Sequence, residues 1–115
     1  MEGSPLTIGV FSFDIHLPAS QSLKDRRQVV RRLKDRLRAR HNVAVAESAE
    51  HSELWQRAGL VVVSVASERD ALERLFEAVY GEAESLVPGS ILETGREFFD
   101  SDDTGDEDWG PEDQR

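Results

Sequence analysis

Nine cationic side chains crowd into residues 22–40: Lys24, Arg26, Arg27, Arg31, Arg32, Lys34, Arg36, Arg38 and Arg40. Only Asp25 and Asp35 oppose them, which leaves a local charge of +7. Seven of the nine are arginine, whose planar guanidinium can hold a phosphate through two parallel hydrogen bonds. At helical spacing, Lys24, Arg27, Arg31, Lys34 and Arg38 form one stripe, and Arg32 and Arg36 fall on the opposite flank. From Arg27 to Arg38 the stripe covers ~16 Å at 1.5 Å per residue, long enough to meet several phosphates. It has few acidic neighbours at i±4 to neutralise it. Lys24, Arg26 and Arg27 also stand in the first turns, where the helix dipole disfavours cations. An anion bound at that N-terminus, beside Ser22, would relieve the conflict. The expected chemistry is therefore anion or nucleic-acid binding by Ser22, Lys24, Arg26, Arg27, Arg31, Lys34 and Arg38.

Other reactive residue types are sparse. The histidines are His16, His41 and His51. Asp14 and His16 share one strand face, and Glu47 and His51 could lie nearby, but this spacing matches no metal-site pattern, and a polar sheet face explains it. Ser20 and Ser22 have no base next to them in sequence, and helix capping is a sufficient role for Ser22. There is no cysteine, which excludes thiol catalysis, disulfides and cysteine-based metal centres. No Walker loop, dinucleotide fingerprint or HExxH motif is present. These observations point to a protein with no enzymatic role, no metal and no cofactor. Two tryptophans are candidate interaction anchors. Trp55 lies in Leu54-Trp55-Gln56-Arg57, and Trp109 stands alone among acids.

The elements that must position these residues follow from periodicity. Residues 6–17 alternate, with Phe11, Phe13, Ile15 and Leu17 on one face and Ser12, Asp14 and His16 on the other, which predicts a strand ended by Pro18. Residues 22–40 form a helix whose apolar side is Leu23, Val29, Val30, Leu33 and Leu37. Ser22 is its N-cap, Asp25 completes a short capping box, and Asn42 closes it in a left-handed conformation. Residues 43–47 make a second strand. Residues 58–66 are apolar on both faces and belong in the middle of a sheet. Ser67 caps a second helix through Leu72, Leu75, Phe76, Val79, Ala83 and Leu86. After the Pro88-Gly89 turn, residues 90–99 form the last strand. The order β-α-β-β-α-β predicts an α+β, ferredoxin-like split βαβ: four antiparallel strands, the first and third central, with both helices on one face.

Two relatives of this architecture are excluded by their own chemistry. An RNA-recognition fold that stacks bases on its central strands needs exposed aromatics there, but Phe11 and Phe13 share the face under the helices and residues 59–66 offer none. An acylphosphatase-like site needs glycine and arginine after the first strand, where this chain has Pro18-Ala19-Ser20-Gln21-Ser22.

With 115 residues and 12.9 kDa, the chain fits one domain. Hydrophobic residues are 38% and charged residues 32%, enough for a modest core in a polar protein. Residues 100–115 hold eight acids against Arg115, a balance of −7. That composition predicts a disordered acidic tail after a folded unit of residues 1–99. No apolar run approaches the roughly 20 residues needed to cross a membrane, and no signal peptide is seen at the N-terminus, so a cytoplasmic address is expected.

Ser22-Leu23-Lys24-Asp25-Arg26-Arg27, after a strand ending His16-Leu17-Pro18, resembles the S-L-K-x-K-R signature of the YlxP-like family, the domain-of-unknown-function group numbered 503. Asn42-Val43 to Glu47, and Leu54-Trp55-Gln56-Arg57-Ala58, resemble that family's N-V-x-V-x-E and D-L-W-Q-R-A segments. The match runs over roughly residues 6–90. Here Arg26 replaces a lysine, Glu53 an aspartate and His41 an aromatic. The resemblance implies a ferredoxin-like fold in small bacterial proteins whose genes often lie among translation and ribosome-maturation genes. It supplies no catalytic residues. The expectation is an accessory factor that binds RNA or a ribosomal particle through the basic helix. The alternative is a protein-interaction or ligand-sensing module that forms a homodimer through its sheet.

Overall fold

A computed structural model describes residues 5–18, 20–49 and 56–101. The chain runs β1 (Thr7–His16), α1 (Leu23–Arg40), β2 (Ala44–Ser48), β3 (Arg57–Ala66), α2 (Arg69–Leu86) and β4 (Ile91–Asp100). The strands form one antiparallel sheet in the order β2-β3-β1-β4. This is the ferredoxin-like arrangement, with β1 and β3 central as their sequences require. Both helices cover the same face: α1 lies over β2 and β3, and α2 over β1, β3 and β4.

The alternation in β1 separates the two faces cleanly. Phe11, Phe13 and Ile15 are buried under the helices with Leu60 and Val62 of β3. Into this layer α1 sends Val30, Leu33 and Leu37, and α2 sends Leu72, Phe76, Val79 and Ala83. The Phe11 and Phe76 rings stack at 5.4 Å between centroids. Gly9 makes the close seating of α2 possible, because a Cβ there would stand 2.8 Å from Phe76 Cε2.

Helix α1 starts as expected. The Ser22 hydroxyl accepts from the Asp25 N–H at 3.1 Å, and the Asp25 carboxylate accepts from the Gln21 N–H at 3.1 Å. Its apolar row differs from the expected one. Leu23 is exposed, and the buried row is Arg26, Val30, Leu33, Leu37. The helix also closes before Asn42: His41 is already extended, at φ −137° and ψ 151°, and donates to the Leu37 carbonyl. Asn42 instead offers its carbonyl to the Ser64 hydroxyl at 2.8 Å, a tie to β3 that only tertiary structure creates.

Helix α2 is capped by Glu68, with no side-chain hydrogen bond, rather than by Ser67. The chain uses both residues to turn out of β3, which ends at Ala66. Beyond α2, Gly89 adopts φ +71°, the left-handed conformation that the tight turn needs and glycine tolerates. The ladder between β1 and β4 shifts register at Phe13/Asp14, where a bulge lets one extra residue of β4 pass between Leu92 and Thr94.

The last strand outruns its expected end. Asp100 accepts from the Thr7 hydroxyl at 3.1 Å, and Ser101 exchanges hydrogen bonds with Leu6. The expected acidic tail from residue 102 onward, with Trp109, lies outside the described residues, as does Trp55.

Candidate functional site

The nine cations of α1 divide into two groups with different neighbours. Arg26 points inward. It is 4% exposed, ion-pairs with Glu47 of β2, and donates Nε to the Arg57 carbonyl at 3.0 Å. The Arg57 side chain itself lies on the open face of the sheet, where Nη2 donates to Asp14 Oδ2 at 2.9 Å. The Arg57 main chain thus joins two separate ion pairs, Glu47–Arg26 on the helix side of the sheet and Arg57–Asp14 on its open side. Arg26 occupies the place of an apolar residue in the buried row, four residues before Val30. It is therefore not part of a solvent-facing phosphate grip, which corrects the sequence expectation for this residue. The spacing 26-30-33-37 is itself helical and could have signalled the inward turn. The partner Glu47 could not be read from sequence, because β2 meets α1 only in the fold.

Arg36 and Arg38 are also engaged. Arg36 donates to Glu82 of α2 at 3.1 Å. Arg38 pairs with Asp35 at 2.9 Å and leans toward the Val45 carbonyl at 3.5 Å. Glu82 gathers a small cluster between the helices, since His41 Nε2 lies 3.7 Å from its other oxygen. The Arg36 hydrogen bond, helped by the charges of Arg40 and His41, holds the Glu82 carboxyl below its ordinary value.

Arg40, at the helix end, has no ion-pair partner among the described residues, though its charge acts on Glu82, and nor have Lys24, Arg27, Arg31, Arg32 and Lys34. Of these last five, the first four are exposed, and Lys34 is half-buried. Lys24 to Lys34 covers eleven residues, ten steps or ~15 Å along the helix. Arg31, Arg32 and Arg36 line a shallow trough of ≈ 460 Å³ along the outer face with Gln28, Asp35 and Ala39. Arg32 also borders a cleft of ≈ 480 Å³, where the end of β1 meets the turn before β4 beside His16, Pro18 and Ser90. The sequence reading left Arg32 off the main stripe, but this position joins the two hollows.

The N-terminus of α1 does not wait for an external anion. Asp25 brings its own carboxylate to that end, and the Ser22 hydroxyl is committed to the Asp25 N–H. Ser22 therefore belongs to the cap. Among the described residues no group of three His, Asp or Glu side chains could hold a metal ion. Asp14 and Glu47, which the sequence placed near each other, lie on opposite faces of the sheet, each with its own arginine.

Residues 8–96 match the family described as "Protein of unknown function (DUF503)". No curated protein matches the chain. Among solved structures, the de novo designed protein Foldit4 aligns at 15% identity and TM-score 0.49, covering 82% of this chain and 96% of its own. A mutant of SnoaB, a cofactor-independent oxygenase from Streptomyces nogalater, aligns at 15% identity and TM-score 0.41, covering 84% and 92%.

Proposed function

Because this chain belongs to the DUF503 family, whose function is unknown, its role must be read from its own surface, and we propose that it binds RNA or ribosomal surfaces through α1 as a non-catalytic accessory factor. One contrast carries this reading. The cations of α1 that serve the fold have found carboxylates, whereas Lys24, Arg27, Arg31, Arg32 and Lys34 stand along one outer stretch with none among the described residues. Concentrated like charge on a folded surface costs stability unless a polyanion meets it. Phosphates spaced along a nucleic-acid backbone suit a row of arginines one helical turn apart.

The contact is to backbone and shape rather than to stacked bases, because Phe11 and Phe13 are buried beneath the helices. The role is one of binding because α1 offers charge without a nucleophile and base beside it. The setting implied by the YlxP-like resemblance, translation or ribosome maturation in a bacterial cytoplasm, is rich in such phosphates. No helix of the described residues is long and apolar enough to cross a membrane.

Fluorescence anisotropy with a labelled RNA hairpin tests the proposal. If four or five phosphates are neutralised, log Kd should change with log salt with a slope of about 3 to 4, so that affinity falls roughly 100-fold between 50 and 200 mM salt. The triple variant Arg27→Glu, Arg31→Glu, Lys34→Glu should lose binding while keeping its circular dichroism. Absence of binding at 50 mM salt, or binding untouched by the triple variant, would refute the reading.

A further inference from the structure

The sheet face away from the helices is divided in two along its strands. Towards one end the two central strands present Ile8 and Val10 of β1 against Val65 and Val63 of β3, with Val61 next in line. Ala44 and Ala46 of β2 flank them on one side, and Phe99 of β4, with Glu97 at the sheet edge beside Val10, on the other. Val65 is 55% exposed and Phe99 38%. Towards the other end the same face carries Ser12, Asp14, His16, Arg57 and Ser48, with Leu92 of β4 at the edge beside Asp14 and the Asp14–Arg57 ion pair between the central strands. An antiparallel sheet with a solvated face ordinarily alternates to polar residues on that side. Here, along the central strands β1 and β3, the alternation holds in the half with Asp14 and fails in the half with the valines.

We infer that this face packs against the same face of a second copy, about a two-fold axis that runs along the strands between β1 and β3. Three observations favour a second copy as the occupant. First, three strands of ten residues and one of five, at ~4.8 Å spacing and ~3.3 Å per residue, give a face of about 550 Å² per copy, so that a pair buries about 1,100 Å², above the ~1,000 Å² that a biological interface should clear. Second, an axis along the strands lays apolar half on apolar half. An axis across them would bury the valines against Asp14 and Arg57, stripping water from charges without replacing it. Third, the same axis sets the Asp14–Arg57 pair of one copy against that of its mate, so that each carboxylate gains a second guanidinium nearby. The strands of the two sheets then run within the ~30° typical of packed sheets. This inference is independent of whether α1 binds RNA.

The chain has no cysteine, so a single introduced thiol reports the geometry. Val65→Cys lies at the far apolar end beside the axis. With the axis along the strands, the two thiols of a dimer come within reach of a short bis-maleimide. With the axis across them they stand ~25 Å apart, by the rise per residue. The expected results are a dimer by light scattering at tens of micromolar and a cross-linked dimer from Val65→Cys. Val63→Glu should yield a monomer with unchanged circular dichroism, and Val65→Lys, at the more exposed position, should do the same if Val63→Glu fails to fold. A monomeric wild type at 200 µM would overturn the inference and leave the face to residues 102–115 or to an unrelated protein. A dimer that survives both charge substitutions would place the interface elsewhere, and a dimer without cross-linking at Val65→Cys would refute the axis.

Discussion

Arg26 and Arg27 are neighbours in sequence and opposites in role. A step of ~100° around the helix turns one into the Glu47 pair and leaves the other in water. Removing Arg26 strands a carboxylate that is only 26% exposed and takes a donor from the Arg57 carbonyl. Arg26→Ala should therefore cost about 3 kcal/mol, at the lower end for a broken buried pair, or on the order of 15 °C in Tm. Arg27→Ala should stay within about 0.5 kcal/mol but weaken RNA binding. Urea unfolding and anisotropy on the two variants separate these effects. Equal stability losses at both positions would contradict the inward assignment of Arg26. Glu47→Gln should recover only part of what Glu47→Ala loses, since the amide keeps a hydrogen-bond acceptor for Arg26 but not the charge.

At the scale of elements, the two helices are joined by Glu82, whose carboxyl is held down chiefly by the Arg36 hydrogen bond. A carboxylate with a lowered folded value stabilises the protein above its unfolded value, here 4.5, and that contribution is lost as pH falls through the folded value. Stability should thus decline as pH drops below about 4.5, and Arg36→Met should flatten that decline by removing the cause of the shift. Tm followed from about pH 6 to pH 3 in both proteins tests this, and parallel curves would refute it. The strands and helices themselves were legible from periodicity, because the alternation of Phe11, Phe13 and Ile15 and the row Leu72, Phe76, Val79, Ala83 reflect which face is dry. What was not legible depended on distant chain. Arg26 faces inward because β2 brings Glu47 to it, Arg36 is occupied because α2 brings Glu82, and Asn42 leaves the helix for Ser64. Periodicity identifies the buried side of an element but not which charge waits across the gap. Lys24, Arg27, Arg31 and Lys34 were legible as members of one stripe, from which the structure takes Arg38 by pairing it with Asp35, whereas helical spacing puts Arg32 on the opposite flank.

For the whole molecule, the acidic segment and α1 carry opposite charges on one chain. Residues 102–115 contain seven acids and can extend at most ~46 Å from Ser101 at ~3.3 Å per residue. We expect this segment to compete with RNA for α1, so that the chain ending at Ser101 binds a hairpin more tightly than the full chain, most at low salt, where charges are least screened. Truncation there should leave Tm within about 5 °C, roughly 1 kcal/mol for a domain of this size. Truncation after Phe99 should cost more, because Asp100 and Ser101 bond to Thr7 and Leu6. Identical binding by the full and shortened chains at low salt would end the competition idea.

The meeting of Thr7 with Asp100 has a mechanical consequence. β4 is an edge strand with β1 as its sole neighbour in the sheet, and the two run antiparallel with the chain's outgoing end at Asp100. A pull applied through that end loads the β1–β4 rungs one after another, beginning with Thr7–Asp100, instead of shearing them together. Resistance to forced unfolding is set by the height of the first barrier rather than by total stability. A motor that draws the chain in from its C-terminal side would therefore peel away β4, uncover Phe11 and Phe76, and meet little opposition whatever the total stability of the fold.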